Sequence, residues 1–264
     1  MLNDPPLAAG GATALDVAGA LATRTLAAFG AATDGAGRVD YERLAGSEEL
    51  AAATETARRL GGADASSLGE RGARLAFWIN VYNALVLHGI VRLGVRRSVT
   101  RAWNFFGRAC FRVDGFVVSS DDVEHGILRG NHRRFFPPLR PFRRGDPRLA
   151  HAVSPVDPRI HFALNCGARS CPPVGVYRAE AIDAQLDLAT GSYVNGEVAV
   201  EDGRLVCPRV FKWYRGDFAG VGGLEAFLLR YLDDGPARAM LTAGSRTRVT
   251  FRSWDWSLHR SAVE

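Results

Sequence analysis

The sequence predicts one α+β domain, in which a buried central helix packs on an antiparallel sheet. Two observations support this fold class: a long stretch that is apolar on nearly every side, and hairpin patterns set among helical stretches without regular β-α alternation. The composition, 47% hydrophobic and 9% aromatic over 264 residues, is that of a protein with a full core. We expect an N-terminal helical extension over residues 1–38 and the domain itself over residues 39–264.

The N-terminal part of the chain predicts two helices. Residues 14–29 form the first, which ends where small residues follow. Residues 47–60 form the second, because Ser47 can cap it, acids fill its first turn and arginines lie near its end. Gly61 and Gly62 terminate it.

The central helix is predicted over residues 74–90, which read RLAFWINVYNALVLHGI. A helix that is apolar on nearly all sides must be buried all round. Residues 110–118 then alternate around Asp114-Gly115, which indicates a hairpin with a type I′ turn. The remaining predicted elements are, in order, a helix over 121–129, a strand over 159–166, a helix over 179–190, a hairpin over 197–207 about Asp202-Gly203, a helix over 223–232 and a strand over 246–256.

The charge balance does not indicate a nucleic-acid partner. The net charge is +5 and the pI about 9.3, but Lys212 is the only lysine and most arginines are scattered among acids. The exception is residues 129–148, which are basic, aromatic and proline-rich. We expect this stretch to be a surface loop with a solvated charged face; the alternative is an anion-binding role.

The chain shows no sign of export, a membrane span or a cofactor. Residues 1–6 carry an acid and two prolines where a secretory signal needs basic residues and an apolar run, so we expect a cytoplasmic protein. Four cysteines are too few for a disulfide scaffold, and reduced thiols are expected. Residues 220–224 are glycine-rich but lack the Lys-Ser/Thr of a phosphate-binding loop.

The segment with the most chemical potential is residues 161–173, HFALNCGARSCPP. A cysteine needs a nearby histidine or helix N-terminus to become a thiolate. In a regular strand His161 and Cys166 would face opposite ways, so either the chain turns at Cys166-Gly167 or the base is His125 or His88. The alternatives are that Cys166 and Cys171 are small buried apolar residues, or that they contribute to a zinc site. The Cys-x4-Cys spacing lacks a second ligand pair, so no metal is expected.

Two other groups of polar residues stand out. Asn80 and Asn83 share a face of the buried helix, with Tyr82 and His88 close by. They either tie the helix to a neighbouring segment or orient a group in a pocket. Glu124 beside His125 could orient an acid or base, although a surface helix is the simpler interpretation. Asp217, in an aromatic-rich stretch, could orient a histidine.

Five blocks of the sequence resemble the motifs of the DUF547 family over roughly residues 39–258. They are FWINVYNALVLHGI at 77–90, DDVEHGILR at 121–129, PRIHFALNCGARSCPPV at 158–174, FKWYRGDF at 211–218 and WDWSL at 254–258. The family's name records that its activity is unassigned. In its plant members the block similar to Ser170-Cys171 often lacks the second cysteine, which makes Cys171 the less secure candidate.

The same stretches also look like a papain/transglutaminase-like arrangement, in which a nucleophile opens a buried helix and a strand carries the base. Here the helix offers Asn80 and no cysteine, so the nucleophile must come from Cys166 or the domain only binds a ligand.

The leading hypothesis is a thiol-dependent hydrolase or acyl/amide transferase that acts on a small-molecule or peptide substrate. Cys166 is the expected nucleophile, His161 or His125 the base, and Asn80 or Asn83 the residue that orients substrate or stabilises an oxyanion. The expected substrate-binding residues are Tyr82, Asn83, Glu124, Asn165, Arg169, Ser170 and Cys171. The rival hypotheses are a non-catalytic ligand- or protein-binding domain and a His/Cys metal-binding domain, and the oligomeric state stays open.

Overall fold

The structure is a computed structural model and describes residues 1–134, 137–243 and 248–260. The helices are α1 Ala14–Ala31, α2 Tyr41–Ala45, α3 Glu48–Arg58, α4 Arg71–Arg92, α5 Phe105–Arg108, α6 Ile182–Glu197, α7 Val210–Trp213, α8 Gly223–Tyr231 and α9 Pro236–Thr242, with a π-helix at Asp122–Leu128. The strands are β1 Cys110–Val113, β2 Phe116–Ser119, β3 Ala199–Glu201, β4 Arg204–Cys207 and β5 Val249–Phe251. The α+β class is confirmed.

Helix α4 is the centre of the fold. Every residue from Leu75 to Ile90 is buried, as its nearly all-apolar sequence requires. It packs most extensively against α1 and touches the first sheet through β1. By length and composition α4 could also cross a bilayer, but 89% of the relevant window is buried inside the protein, as in a core helix.

Helix α1 belongs to the same hydrophobic core as α4. Thr13 begins it with a capping box: its hydroxyl accepts from the Asp16 amide at 3.2 Å, and the Asp16 carboxylate accepts from the Thr13 amide at 3.0 Å. Leu21 lies fully buried in the core shared with α4. The domain boundary predicted at residue 38 stays a prediction.

Both hairpins are confirmed at their predicted turns. Asp114 and Gly115 have φ of 48° and 74° and join β1 to β2, and Asp202 and Gly203, with φ of 49° and 67°, join β3 to β4. Two successive positive φ values are what a type I′ turn demands, which is why Asp-Gly is the informative signal. The short strand β5 extends the second hairpin by pairing in parallel with β4.

A second, aromatic core fixes the loops that carry the polar residues described below. Phe162 stacks on Phe227 with ring centroids 5.8 Å apart, and Phe218 meets Phe227 edge-on at 4.8 Å. All three rings are buried. Because Phe162 follows His161 and Phe218 follows Asp217, packing of the rings brings those two polar residues close together.

Two strand predictions differ from the structure. The predicted strand over 159–166 is wrong: residues Pro158–Phe162 form a 3-10 helix, with the Asp157 side chain accepting from the Arg159 amide at 3.1 Å. The same Asp-Pro pair that suggests a strand boundary also starts a helix, with Asp as the cap and Pro in the first turn. Of the strand predicted over 246–256, only Val249–Phe251 forms; residues 246 and 247 lie outside the described residues.

Two buried asparagines tie α4 to distant segments. Asn83 donates to the Ala163 carbonyl at 2.9 Å and accepts from the Asn165 amide at 2.9 Å. Asn80 makes the same pair of bonds with the backbone of Tyr177, at 2.7 and 3.0 Å. Each side-chain amide replaces a backbone partner that these irregular segments lack.

Replacing Asn83 by Ala should lower the free energy of unfolding by about 2–4 kcal/mol, because a buried carbonyl and a buried amide lose their partners. Urea unfolding measures the change. The matched control is Asn195→Ala, since the exposed Asn195 also bonds backbone groups, at Gly191, Tyr231 and Asp233, which water can reach. Equal losses in the two variants would contradict the expectation.

Candidate functional site

A cleft of about 230 Å³ lies where the predicted polar segments meet. Acidic, histidine and cysteine side chains line one part of it, and aromatic and aliphatic side chains line the rest. Its lining residues are Tyr82, Phe106, Asp121, Glu124, His125, His161, Leu164, Cys166, Cys171, Pro172, Val210, Trp213, Tyr214, Trp254 and Trp256. Titratable groups beside apolar walls are the usual content of a ligand site.

The π-helix and the residue that follows it place Glu124, His125 and Arg129 beside one another, and the first two line the cleft. Its wider turn shows in the bond from the Arg129 amide to the Glu124 carbonyl, five residues back, at 2.9 Å. Gly126 lets the ring of Phe142 lie against the helix, because a Cβ at this position would collide with that ring. Single-turn π segments occur often at functional sites.

Asp217 is the charged centre beneath the cleft. Arg129 donates to both of its oxygens, from Nε at 2.6 Å and Nη2 at 2.9 Å, and His161 donates from Nε2 at 2.9 Å. The side chains of Asp217 and Arg129 are 2% and 8% exposed. Burial alone would raise the pKa of Asp217, but the hydrogen bonds from His161 and Arg129 hold that pKa well below its ordinary value. The carboxylate is therefore ionised.

The bond to Asp217 sets the tautomer of His161. An ionised carboxylate can only accept, so Nε2 carries the proton and the neutral ring keeps its lone pair on Nδ1. Burial lowers the pKa of His161 by more than the bond to Asp217 raises it. The ring stacks on Tyr214 at 3.8 Å and lines the cleft. His161 is thus a neutral imidazole with a free basic nitrogen.

His125 has the opposite tautomer. Nη1 of Arg129 lies 2.9 Å from its Nδ1, and a guanidinium can only donate, so Nδ1 is the acceptor and Nε2 carries the proton. Burial has the largest effect on the pKa of His125 and lowers it, and the charge of Arg129 lowers it further. His125 therefore offers a donor, and its basic nitrogen is already occupied.

Glu124 is a buried carboxylate held by two phenols. Tyr214 donates to Oε1 at 2.5 Å and Tyr82 donates to Oε2 at 3.0 Å. Burial opposes its ionisation, but the bond from Tyr214 and the charge of Arg129 lower the pKa of Glu124 below its ordinary value. Glu124 is therefore a fixed negative charge of the cleft that disfavours ionisation of the Cys166 thiol.

The two cysteines of the 161–173 segment lie together at the cleft. Their sulfurs are 2.6 Å apart, and the Cys166 amide donates to Sγ of Cys171 at 3.1 Å. Gly167 makes this turn, with φ of 81° and a position where a Cβ would collide with Ile90. The hydrogen bond with Cys171, followed by burial, raises the pKa of Cys166 well above its ordinary value. Cys166 is thus a neutral thiol at rest.

The structure brings together some of the predicted site residues and separates others. Tyr82, Glu124, His125, His161, Cys166 and Cys171 all line the cleft. His88 does not: it is buried against Phe111, and burial lowers its pKa to about 4.

The other five predicted residues do not line the cleft: four form hydrogen bonds with the backbone, and one faces solvent. They are Asn80, Asn83, Asn165, Ser170 and Arg169. Asn80 and Asn83 make the backbone bonds described above. The Asn165 amide donates to the Pro172 carbonyl at 2.7 Å, and Ser170 Oγ accepts from the Asp255 amide at 2.9 Å. Arg169 is exposed. The structural interpretation therefore describes these amides and this hydroxyl better than a direct role at the cleft.

Sequence reasoning missed Arg129 and the aromatic wall of the cleft, which consists of Trp213, Trp254 and Trp256. The prediction of a solvated surface loop over residues 129–148 is wrong for Arg129, because this residue is buried on Asp217. Phe135 and Phe136 of the same stretch lie outside the described residues. The tryptophans of the wall, which come from the FKWYRGDF and WDWSL blocks, could have been found from their clustering in those blocks. No three His, Cys, Asp or Glu side chains converge as a metal site within the described residues.

Replacing Asp217 by Asn should change how stability depends on pH. The pKa of Asp217 is lower in the folded protein than in the unfolded chain. The ionised carboxylate therefore contributes fully to the free energy of unfolding above the unfolded pKa of about 3.9, and this contribution is lost as pH falls through the folded pKa. The gap in unfolding free energy between wild type and Asp217→Asn should therefore be widest near neutrality and narrow below about pH 4.

Urea unfolding at a series of pH values measures this gap. Asp234→Asn, at a fully exposed carboxylate, is the control and should leave no comparable gap at any pH. A gap for Asp217→Asn that stays constant down to pH 2 would show that Asp217 is not an ionised partner in the folded protein.

Comparison with known proteins finds a matching family model for part of the chain. A family model described as "Protein of unknown function, DUF547" matches residues 66–194, which include α4, the π-helix and the turn with both cysteines. Neither a curated protein nor a solved structure matches the chain, so the papain/transglutaminase-like arrangement stays untested. Asp217 and the three tryptophans of the cleft, Trp213, Trp254 and Trp256, lie beyond the matched segment. Residues 66–194, 129 of the 264, thus match the DUF547 family model.

Proposed function

We propose that the protein is a thiol-dependent hydrolase or acyl transferase, with Cys166 as nucleophile and His161 as base. The observation that carries the proposal is the Asp217–His161 pair, 2.9 Å apart, whose free imidazole nitrogen shares a cleft with Cys166. A carboxylate that fixes the tautomer of a histidine next to a nucleophile is the arrangement used in acyl transfer on unrelated folds. His125 is the poorer base because Arg129 already occupies its acceptor nitrogen.

The reaction would run through a thioester. Nδ1 of His161 takes the proton of Cys166 as the sulfur attacks the substrate carbonyl, and the imidazolium then returns that proton to the leaving group. Water or a second acceptor attacks the thioester and gives its proton to His161, which passes it to the departing Cys166 sulfur, so that the thiol and the neutral imidazole are regenerated. His125, with its N–H on Nε2, is a suitable donor to the oxyanion.

The sulfur must move for this step. At rest Cys166 contacts Cys171, and no hydrogen bond joins it to His161 among the described residues. Apo sites often show long or poorly aligned catalytic contacts that shorten when substrate is bound. The same resting contact favours the rival proposal, a binding domain without chemistry, in which Cys166 stays an inert thiol.

The walls of the cleft indicate the substrate class. Trp213, Trp254 and Trp256 with Leu164 and Val210 form its apolar part. These side chains suit an acyl or peptide group with an apolar portion. A small-molecule or peptide ester, thioester or amide of this kind is the proposed substrate.

Cys166→Ala should abolish labelling of the reduced protein by an activated acyl ester that releases nitrophenolate, because the acceptor sulfur is gone. His161→Gln should slow labelling by about 100-fold or more, the usual contribution of a general base. The rate of nitrophenolate release and the mass of the acylated protein measure both effects.

The control is Cys110→Ala, which removes a half-buried thiol that does not line the cleft and should label at the wild-type rate. Cys171→Ala distinguishes the two sulfurs of the turn and should keep the labelled mass. Unchanged labelling of folded Cys166→Ala would remove the proposal in favour of the binding domain.

The labelling rate should fall as pH drops below about 6.5. The pKa of His161 is lowered by burial, so its base form is complete at neutrality and disappears only on the acid side of the ordinary histidine value. His161→Gln should lose this acid limb.

A second acid in the cleft needs its own control. Burial raises the pKa of Asp121 to about 6, so its protonation could produce a similar limb. Asp121→Asn should keep the limb if His161 causes it. Loss of the limb in Asp121→Asn together with its survival in His161→Gln would contradict the assignment of His161.

A further inference from the structure

A second hollow shares Trp256 with the cleft but not its two cysteines. We call it the arginine hollow; its volume is about 500 Å³. It forms between the loop that follows α4 and the C-terminal segment, which are joined by a bond from the Leu258 amide to the Arg97 carbonyl at 2.9 Å. Its lining residues are Arg96, Arg97, Ser98, Thr100, Arg101, Trp256, Ser257, Leu258 and Arg260.

The hollow has an excess of positive charge. Arg260 donates to the Arg96 carbonyl at 2.8 Å and lies 3.9 Å from the exposed carboxylate of Glu42. The side chains of Arg96, Arg97 and Arg101 form no ion pair within the part of the chain that the structure describes.

The nearby acid on the C-terminal segment is already engaged. Asp255 accepts from the hydroxyl of Ser257 at 2.6 Å and from its amide at 2.9 Å. It does not line the hollow. Arg96, Arg97, Arg101 and Arg260 line one space, and among the described residues no carboxylate lines it, so its positive charge favours an anion.

The other lining groups suit a phosphate. The hydroxyls of Thr100 and Ser98 lie 2.8 Å from one another at the wall of the hollow, so one of their two protons remains for a further oxygen. Guanidinium groups bind phosphate through parallel N–H donors in a planar geometry. Four arginines and a hydroxyl donor therefore suit a multiply charged anion such as a phosphate ester or diphosphate.

We propose that the arginine hollow binds a phosphate group of a small-molecule ligand. Trp256 lines both the hollow and the cleft, so a ligand could place its phosphate among the arginines and its acyl end beside Cys166. The second half of this statement rests on the proposed function. The binding of phosphate does not.

Inorganic pyrophosphate is the test ligand, and isothermal titration calorimetry at low ionic strength measures its affinity for the full chain. Arg97→Gln/Arg101→Gln should weaken binding by about 10-fold or more, because two guanidinium donors are lost. The matched control is Arg144→Gln/Arg204→Gln, which removes the same charge at two exposed arginines outside the hollow and should bind like wild type. Arg144 also tests the anion-binding role considered for residues 129–148.

Chemical modification provides a second measurement that does not depend on how the variants fold. Pyrophosphate should protect Arg97 and Arg101 of the wild-type protein from phenylglyoxal, and leave Arg144 and Arg204 unprotected, as mapped by peptide mass spectrometry. Equal loss of affinity in both double variants, or equal protection at all four positions, would overturn the proposal because it would mean nonspecific attraction of anions.

The source of the phosphate is tested with vesicles. Binding to phosphatidylglycerol vesicles that is lost in Arg97→Gln/Arg101→Gln, without any binding of pyrophosphate, would overturn the small-molecule proposal in favour of a lipid surface. Cys166→Ala should bind pyrophosphate like wild type. Failure of the thiol chemistry and failure of phosphate binding are therefore separate results.

Discussion

The buried ion pair between Asp217 and Arg129 is the constraint on which the site depends. It joins the end of the π-helix to a segment 88 residues further along the chain, and its remaining acceptor capacity fixes His161. A buried carboxylate without partners is strongly unfavourable, so the folded state requires all three side chains in register. The aromatic core beneath them supplies the rigidity, because Phe162 and Phe218 are the chain neighbours of His161 and Asp217.

Arg129 acts on both histidines of the cleft, and in opposite ways. Through Asp217 it leaves His161 with a proton on Nε2 and a lone pair on Nδ1, whereas its direct bond to His125 occupies the lone pair on Nδ1 of that ring. One guanidinium thus gives the cleft one acceptor and one donor. Burial keeps both rings neutral, so neither role depends on capturing a proton from solvent.

Local signals predicted those parts of the fold that local physics decides. The two Asp-Gly turns require positive φ at successive residues, and the nearly all-apolar sequence of α4 requires a helix that is shielded from water on all sides. Both features can therefore be predicted from short stretches of sequence. The strand expected over 159–166 failed because Asp157-Pro158 also caps a helix, and only the packing of Phe162 decides between the two. The burial of Arg129 could not be predicted from the sequence, because its partner Asp217 lies 88 residues further along the chain.

The charge inventory of the cleft determines how its chemistry can begin. Glu124 is ionised and close enough to disfavour a thiolate at Cys166, so a lone negative charge on that sulfur would add to an existing one. Transfer of the thiol proton to His161 instead creates an anion and a cation together and leaves the net charge of the buried site unchanged. The imidazolium so formed is bonded to the ionised Asp217, which stabilises it where solvent cannot. A neutral thiol at rest is therefore compatible with a nucleophile that is ionised only when substrate excludes water and His161 accepts its proton.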